Sequence, residues 1–259
     1  MMNSRPAACA GSFYPGERRA LEAAIAAMLP ESEKALPAAM IVPHAGYVYS
    51  GSVAANAYAR LQGSGFRRIV LIGPAHRVWF RGIALPGCSH FETPLGNVSV
   101  DSEACIRLAS SPGITESPVA HELEHSLEVQ LPFLQTVLGE FSIVPLLVGE
   151  AGMDEVSSAI DGFLGEPETL VLASSDLSHF HPYVVAQAID GTTAKSILEL
   201  DPVLSQEQAC GATAINGLLI SAERMGLEPR LIDIRNSGDT AGDKRRVVGY
   251  ASFSFGEAA

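Results

Sequence analysis

IVPHAGYVYSG, residues 41–51, brings an apolar run to its end at Val42 and Pro43 and delivers His44 into a glycine-containing turn. A short, unbroken apolar run of this kind reads as a strand covered on both faces. The exit of such a strand is where open α/β sheets bind their ligands. Taken alone, His44 reads better as a turn histidine bonded to nearby backbone. RRIVLIGPAH, residues 67–76, repeats the arrangement: an apolar run, a Gly-Pro break, then His76. Between the two lies SGSVAANAYARLQ, whose small residues suit a closely packed helix. AAMIVP, this helix and RRIVLIGP together make a βαβ unit.

The same alternation extends in both directions. ERRALEAAIAAML carries Leu21, Ala24, Ile25, Met28 and Leu29 at helical spacing before Pro30. GIALPG and NVSV suggest further strands, and Asp101 or Ser102 can cap a helix through about Leu108. HELEHSLEVQLPFLQTVL, residues 121–138, reads as one helix from its leucine spacing, followed by the strand FSIVPLLVG. MDEVSSAIDGFL and TLVLASS form another helix and strand. After Pro182 come a helix to about Leu200, a second over ATAINGLLISAERMG, the strand RLIDIR, a polar loop SGDTAGDKRR and a last strand VVGYASFSF. The expectation is a single α/β domain over residues 1–259, with a mainly parallel or mixed sheet between helical layers.

Composition narrows the function classes. A hydrophobic content of 47% in 259 residues is ample for a buried core. Seventeen basic against 29 acidic residues leave a net charge of −12, which repels the phosphates that a nucleic-acid binder must neutralise. No apolar run approaches the roughly 18 residues of a spanning helix. The opening MMNSRPAACAGSFYPGERR lacks the apolar centre of a secretory leader. A cytoplasmic protein without nucleic-acid or membrane partners is therefore expected. Cys9, Cys88, Cys105 and Cys210 form no CxxC pair, so neither a disulfide framework nor a zinc ribbon is indicated.

A third strand, TLVLASS, runs into SDLSHFH, with Asp176, His179 and His181 just past its end. Parallel strands exit at one sheet edge, so His44, His76 and these groups are expected to converge on one cleft. Cys210 stands where a helix begins, a position that lowers a thiol's pKa and favours the metal-binding thiolate. Two imidazoles and a thiolate suit zinc, iron or copper; the competing reading of Cys210 is a small buried hydrophobe. HELEH matches the HExxH zinc-hydrolase pattern, with Glu122 as the water-activating base. Pro118 places His121 at a helix start, however, where Glu122 and Glu124 also simply complement the helix dipole. His125 is a candidate to line the cleft. Tyr47 or Tyr49 could reach the site or pack on the sheet edge, and Trp79 and Phe80 could wall an apolar pocket or pack elsewhere.

Taken in order, GSFYPG, PHAGYVYSG, GPAH, EHSLEVQLPFL, SSDLSHF, ACGATAINGLL and SGDTAGDKRRVVGYASFSF resemble the Memo family, from about Arg5 to Phe255. Prokaryotic members carry the label AmmeMemoRadiSam system protein B, after gene neighbours encoding AMMECR-type and radical SAM proteins, which the resemblance suggests as partners. The family is related in fold to the class III extradiol dioxygenases. The resemblance implies metal ligation by His44, His76 and Cys210, with Asp176 and His179 lining the same pocket and His179 moving protons; His125 joins Asp176 and His179 as a catalytic candidate from its own place in the sequence. It implies iron, with copper or zinc as alternatives. Oxygenases of this kind use two histidines and a carboxylate, so a cysteine in third place departs from the pattern unless Asp176 substitutes. The leading expectation is a metal-dependent, dioxygenase-like oxidoreductase acting on a small molecule. The alternative, resembling the animal member, is a ligand- or phosphopeptide-binding protein with Arg77 and Arg81 near the same cleft; a zinc hydrolase built on HELEH is third.

Overall fold

The computed structural model describes residues 4–32 and 34–257. Residues 1–3, part of the stretch read for a leader, lie outside these. The strands are β1 (Ser4–Arg5), β2 (Ala39–Val42), β3 (Arg68–Pro74), β4 (Ile83–Leu85), β5 (His90–Thr93) and β6 (Gly96–Val100). There follow β7 (Ile114–Glu116), β8 (Ser142–Val148), β9 (Thr169–Ser174), β10 (His179–His181), β11 (Glu228–Asn236) and β12 (Val247–Gly256). Helices are α1 (Arg18–Met28), α2 (Tyr47–Tyr58), α3 (Ser102–Leu108), α4 (Pro118–Glu122) and α5 (Leu131–Val137). The later ones are α6 (Met153–Ile160), α7 (Tyr183–Leu198), α8 (Ala212–Arg224) and the short α9 (Ser237–Thr240).

The strands join in one mixed, twelve-stranded sheet whose central path runs β1-β5-β6-β8-β3-β9-β2-β12-β10. From β6 to β2 every neighbour is parallel, and β12 then runs antiparallel to β2, β10 and β11. The unbroken apolar runs are explained by position: β2, β3, β8 and β9 are covered on both faces. Along β3, Val70 and Ile72 enter one core with α6 and α8, while Ile69 and Leu71 enter the other with α1, α2 and α5. Because β3, β9 and β2 are adjacent, their C-terminal ends present His76, Ser174 and His44 side by side.

The segment read as one helix over residues 121–138 breaks into pieces. α4 stops at Glu122, a single 3-10 turn covers Glu128–Gln130, and α5 begins only at Leu131. The break has a cause in side-chain chemistry: the Glu124 carboxylate turns back to accept the N–H of His125 and Ser126, which a continuing helix would spend on its own carbonyls. The polar loop 237–246 contains α9, and HFH is the strand β10. α2 begins at Tyr47, so Tyr47 and Tyr49 are helical. Tyr47 is buried on Phe133 and donates its hydroxyl to Val129 O. Among the described residues no helix is long and apolar enough to cross a membrane.

Candidate metal centre

His44 leaves β2 through Pro43, and its turn is held from below by Asp176, whose Oδ1 accepts the N–H of His44 (2.8 Å) and Ala45 (3.2 Å). The imidazole is 1% exposed. Its Nδ1 lies 2.9 Å from Ser174 Oγ, and the surrounding bonds decide which of the two donates. The Ser174 hydroxyl has one proton, and that proton goes to Ser126 O at 2.6 Å. Ser174 Oγ also accepts from Gln130 Nε2 (2.8 Å), whose other proton goes to Pro43 O while Gln130 Oε1 accepts from Tyr58. His44 Nδ1 is therefore the donor, and Nε2 keeps its lone pair, which faces the Cys210 thiol at 3.3 Å. Burial, followed by the neighbouring His125 and His76, holds the imidazole well below its usual pKa, in the neutral form that binds metal.

His76 leaves β3 and meets Glu124, a buried carboxylate. Its Nδ1 lies 3.1 Å from Glu124 Oε1 and its backbone N–H donates to Oε2 at 2.6 Å. Burial alone would raise the Glu124 pKa. The imidazoles of His125 and His76 and the backbone N–H groups of His76 and Ser126 outweigh it and hold the carboxyl well below the usual range. An ionised carboxylate only accepts, so His76 Nδ1 donates and Nε2 likewise keeps its lone pair.

His125 completes the cluster. The ligand atoms of His44, His76 and His125 all lie within 4.8 Å of one another, and together these residues could hold a metal ion. The rings meet edge to face or tilted, with centroids 4.6–5.3 Å apart, and Phe13 packs on the far side of His125 at 4.6 Å. His125 Nδ1 is 3.1 Å from Glu124 Oε1 but out of line for a hydrogen bond, and this buried nitrogen has no other partner. Two imidazole lone pairs aimed by their neighbours, a third ring with an orphaned nitrogen and a carboxylate beneath two of the rings fit a transition metal with its supporting shell.

Cys210 stands beside this triad. Its Sγ is 3.3 Å from His44 Nε2, and Gly211 brings the start of α8 onto the end of β9, where a Cβ would meet Ser175 Cβ at 2.7 Å. The thiol differs from expectation in one respect. Burial, with Asp176 adding to it, pushes the Cys210 pKa up to about 12, so desolvation wins over the helix start. His125, a cleft-lining candidate from the sequence, is thus in the group that could hold a metal, while Cys210 flanks it. Asp176 is committed by Oδ1 to the His44 turn, and burial pushes its carboxyl up.

HELEH does not form a zincin site. The helix ends before His125, and His121 points away, with Nε2 donating to Ala84 O at 2.8 Å and the ring edge-on to Phe91. Glu124 is no dipole-facing surface residue either. Glu128, also fully buried, accepts from Arg5, Tyr14 and the N–H of Ala8 and Cys9, and so secures the N-terminal loop that carries Phe13. Glu124, Ser126, Glu128 and Gln130 were not singled out as site residues from the sequence. Their strict alternation of polar side chains, all buried here, is a period-two signal that the leucine spacing masked.

Beside His76 and Cys210 opens a cavity of about 780 Å³, lined also by Trp79, Glu150, His179, His181 and Glu207. The lining contains no arginine or lysine. Arg81 instead pairs with Glu150 at 3.7 Å, and Arg77 is not part of the lining, so the cleft lacks the cationic wall that a phosphate needs.

The family model described as Memo-like protein matches residues 5–254. The chain belongs to the Memo-like family. A MEMO1 family protein of Sulfolobus acidocaldarius is 38% identical over 239 residues, covering 84% of this Memo-like chain and 82% of that protein. One from Thermoplasma volcanium is 36% identical over 262 residues, covering 96% and 97%. Among solved structures, an uncharacterized protein from Escherichia coli K12 matches with a TM-score of 0.55 at 14% identity, covering 83% of this chain and 98% of that one; the likeness is one of fold.

Proposed function

We propose that this Memo-like protein is a metal-dependent oxidoreductase acting on a small molecule in the cleft above β3, β9 and β2, with iron as the ion. The observation that supports it is the convergence of three imidazoles, two of them with the lone pair aimed by a buried acceptor, one of which, His76, lines an open cleft. A bound redox metal would supply electron transfer and Lewis acidity there. His44, His76 and His125 hold it, and the Cys210 thiol stands close enough to His44 to join them. Asp176 keeps His44 in place through its backbone N–H, and Glu124 keeps His76 in place through both its backbone N–H and its Nδ1. His179 lines the same cavity outside the triad and takes or gives the substrate proton.

Protein purified with and without oxygen is expected to carry iron, copper or zinc on metal analysis. His44→Ala should empty the site, and Cys210→Ala should weaken it. Metal content unchanged by either substitution would refute the assignment. Oxygen consumption across a panel of catechols then separates turnover from simple metal storage, and His179→Ala should abolish turnover while leaving metal content at the parent level.

A further inference from the structure

The lining of the cleft has a chemical polarity that the metal triad does not account for. At its floor are nitrogen and sulfur donors. Its walls are apolar at Pro74, Ala75, Val148 and Ala214, and carry the indole of Trp79, which is 75% exposed for a residue that lines a cavity. The charged side chains of the lining are Glu150 and Glu207. Arg81 answers Glu150, whereas the Glu207 carboxylate has no ion-pair or hydrogen-bond partner among the described residues. The net charge of −12 over the chain extends the same sign outward. Aromatic faces and carboxylates both attract cations, and they act together best where apolar walls exclude water.

Resting on the reading of this cleft as the ligand site, we propose that it takes a small aromatic amine in its cationic form, with the ring against Trp79 and the ammonium nitrogen toward Glu207. The opposite end of the ligand places a hydroxyl toward His76 and Cys210 at the floor. Aromatic carboxylates and phosphates of the same size are excluded, because their charge meets Glu207 and no basic side chain of the lining compensates it.

Trp79 is the sole tryptophan of the chain and lies on the cavity wall, so intrinsic fluorescence reports occupancy directly. Tyramine and 3-(4-hydroxyphenyl)propionate share a phenol and differ in the charge of the tail. Titrated into the protein as purified at neutral pH, tyramine is expected to bind at least about tenfold more tightly. Glu207→Gln, on an exposed side chain that the fold does not need, should reduce that preference to about threefold or less. Calorimetric titration of Trp79→Ala should show weaker binding of tyramine. The preference should survive removal of metal with a chelator, because it resides in the walls. Equal or tighter binding of the propionate, no response to either compound, or a preference untouched by Glu207→Gln would each overturn the proposal. Absence of metal from the purified protein bears only on the redox reading, which the fluorescence titration does not use.

Discussion

Glu124→Gln tests whether one buried carboxylate organises the metal centre. The side chain keeps its size, but an amide nitrogen must replace one oxygen. At the Oε1 position it would face three donors, His76 Nδ1 and the N–H of His125 and Ser126; at Oε2 it would face only the N–H of His76. The second orientation is favoured, and it leaves the His76 N–H buried against another donor. An unsatisfied buried donor costs about 1–3 kcal/mol, and the remaining bonds lose their charge assistance. The bonds share one acceptor and do not add in full, so a loss of about 3 kcal/mol is expected. For a chain of this length that corresponds to a melting temperature lower by roughly 6–12 °C. Since Glu124 also aims His76, zinc affinity measured by competition with a chelating dye should fall by about 10–100-fold. A variant that melts within about 2 °C of the parent and binds zinc as tightly would refute this account. A destabilised variant with unchanged zinc affinity would show that the carboxylate holds backbone and not ligands.

Two further expectations concern residues outside the ligand group. Burial lowers the His121 pKa to about 4, and a lowered pKa means that the unfolded chain takes up the proton first. The stabilisation from neutral His121 is complete above about pH 6.5 and is lost as pH falls toward 4, about 3 kcal/mol in all. Unfolding by urea across that window should show the loss, and His121→Gln should flatten it; an equally steep dependence in the variant would assign the effect elsewhere. Gly211→Ala places a methyl 2.7 Å from Ser175 Cβ and 2.9 Å from Ser174 O, so the start of α8 must move off β9. A loss of about 1–3 kcal/mol is expected. Metal affinity should fall with it, because Cys210 rides on the same turn; retention of both would show that this approach is not constrained.

The parts of the site carried on strand exits were legible from sequence. An apolar run followed by a break and a histidine has few structural solutions, and three such runs in an alternating chain imply one sheet edge. His44, His76 and Asp176 follow directly from that pattern. His125 and Glu124 were harder, because the leucines at 123, 127, 131 and 134 imitate a helix while the alternating polar residues 124–130 imply an extended, buried turn. Local hydrogen bonding by Glu124 decided the contest.

By itself the sequence determined the layered α/β arrangement, the family and the two histidines at the ends of β2 and β3, since these depend on local pattern and on ordered motifs. The tertiary structure decided the rest. Strand order made β3, β9 and β2 neighbours, and burial set the state of the Cys210 thiol against the pull of its helix. The fold also carried a broken helix across the sheet edge, so that His125 met His44 and His76 while His121 turned to Ala84. The physical reason is common to all three: which donor faces which acceptor, and how much water remains between them, depends on chain segments distant in sequence, and no local periodicity encodes it.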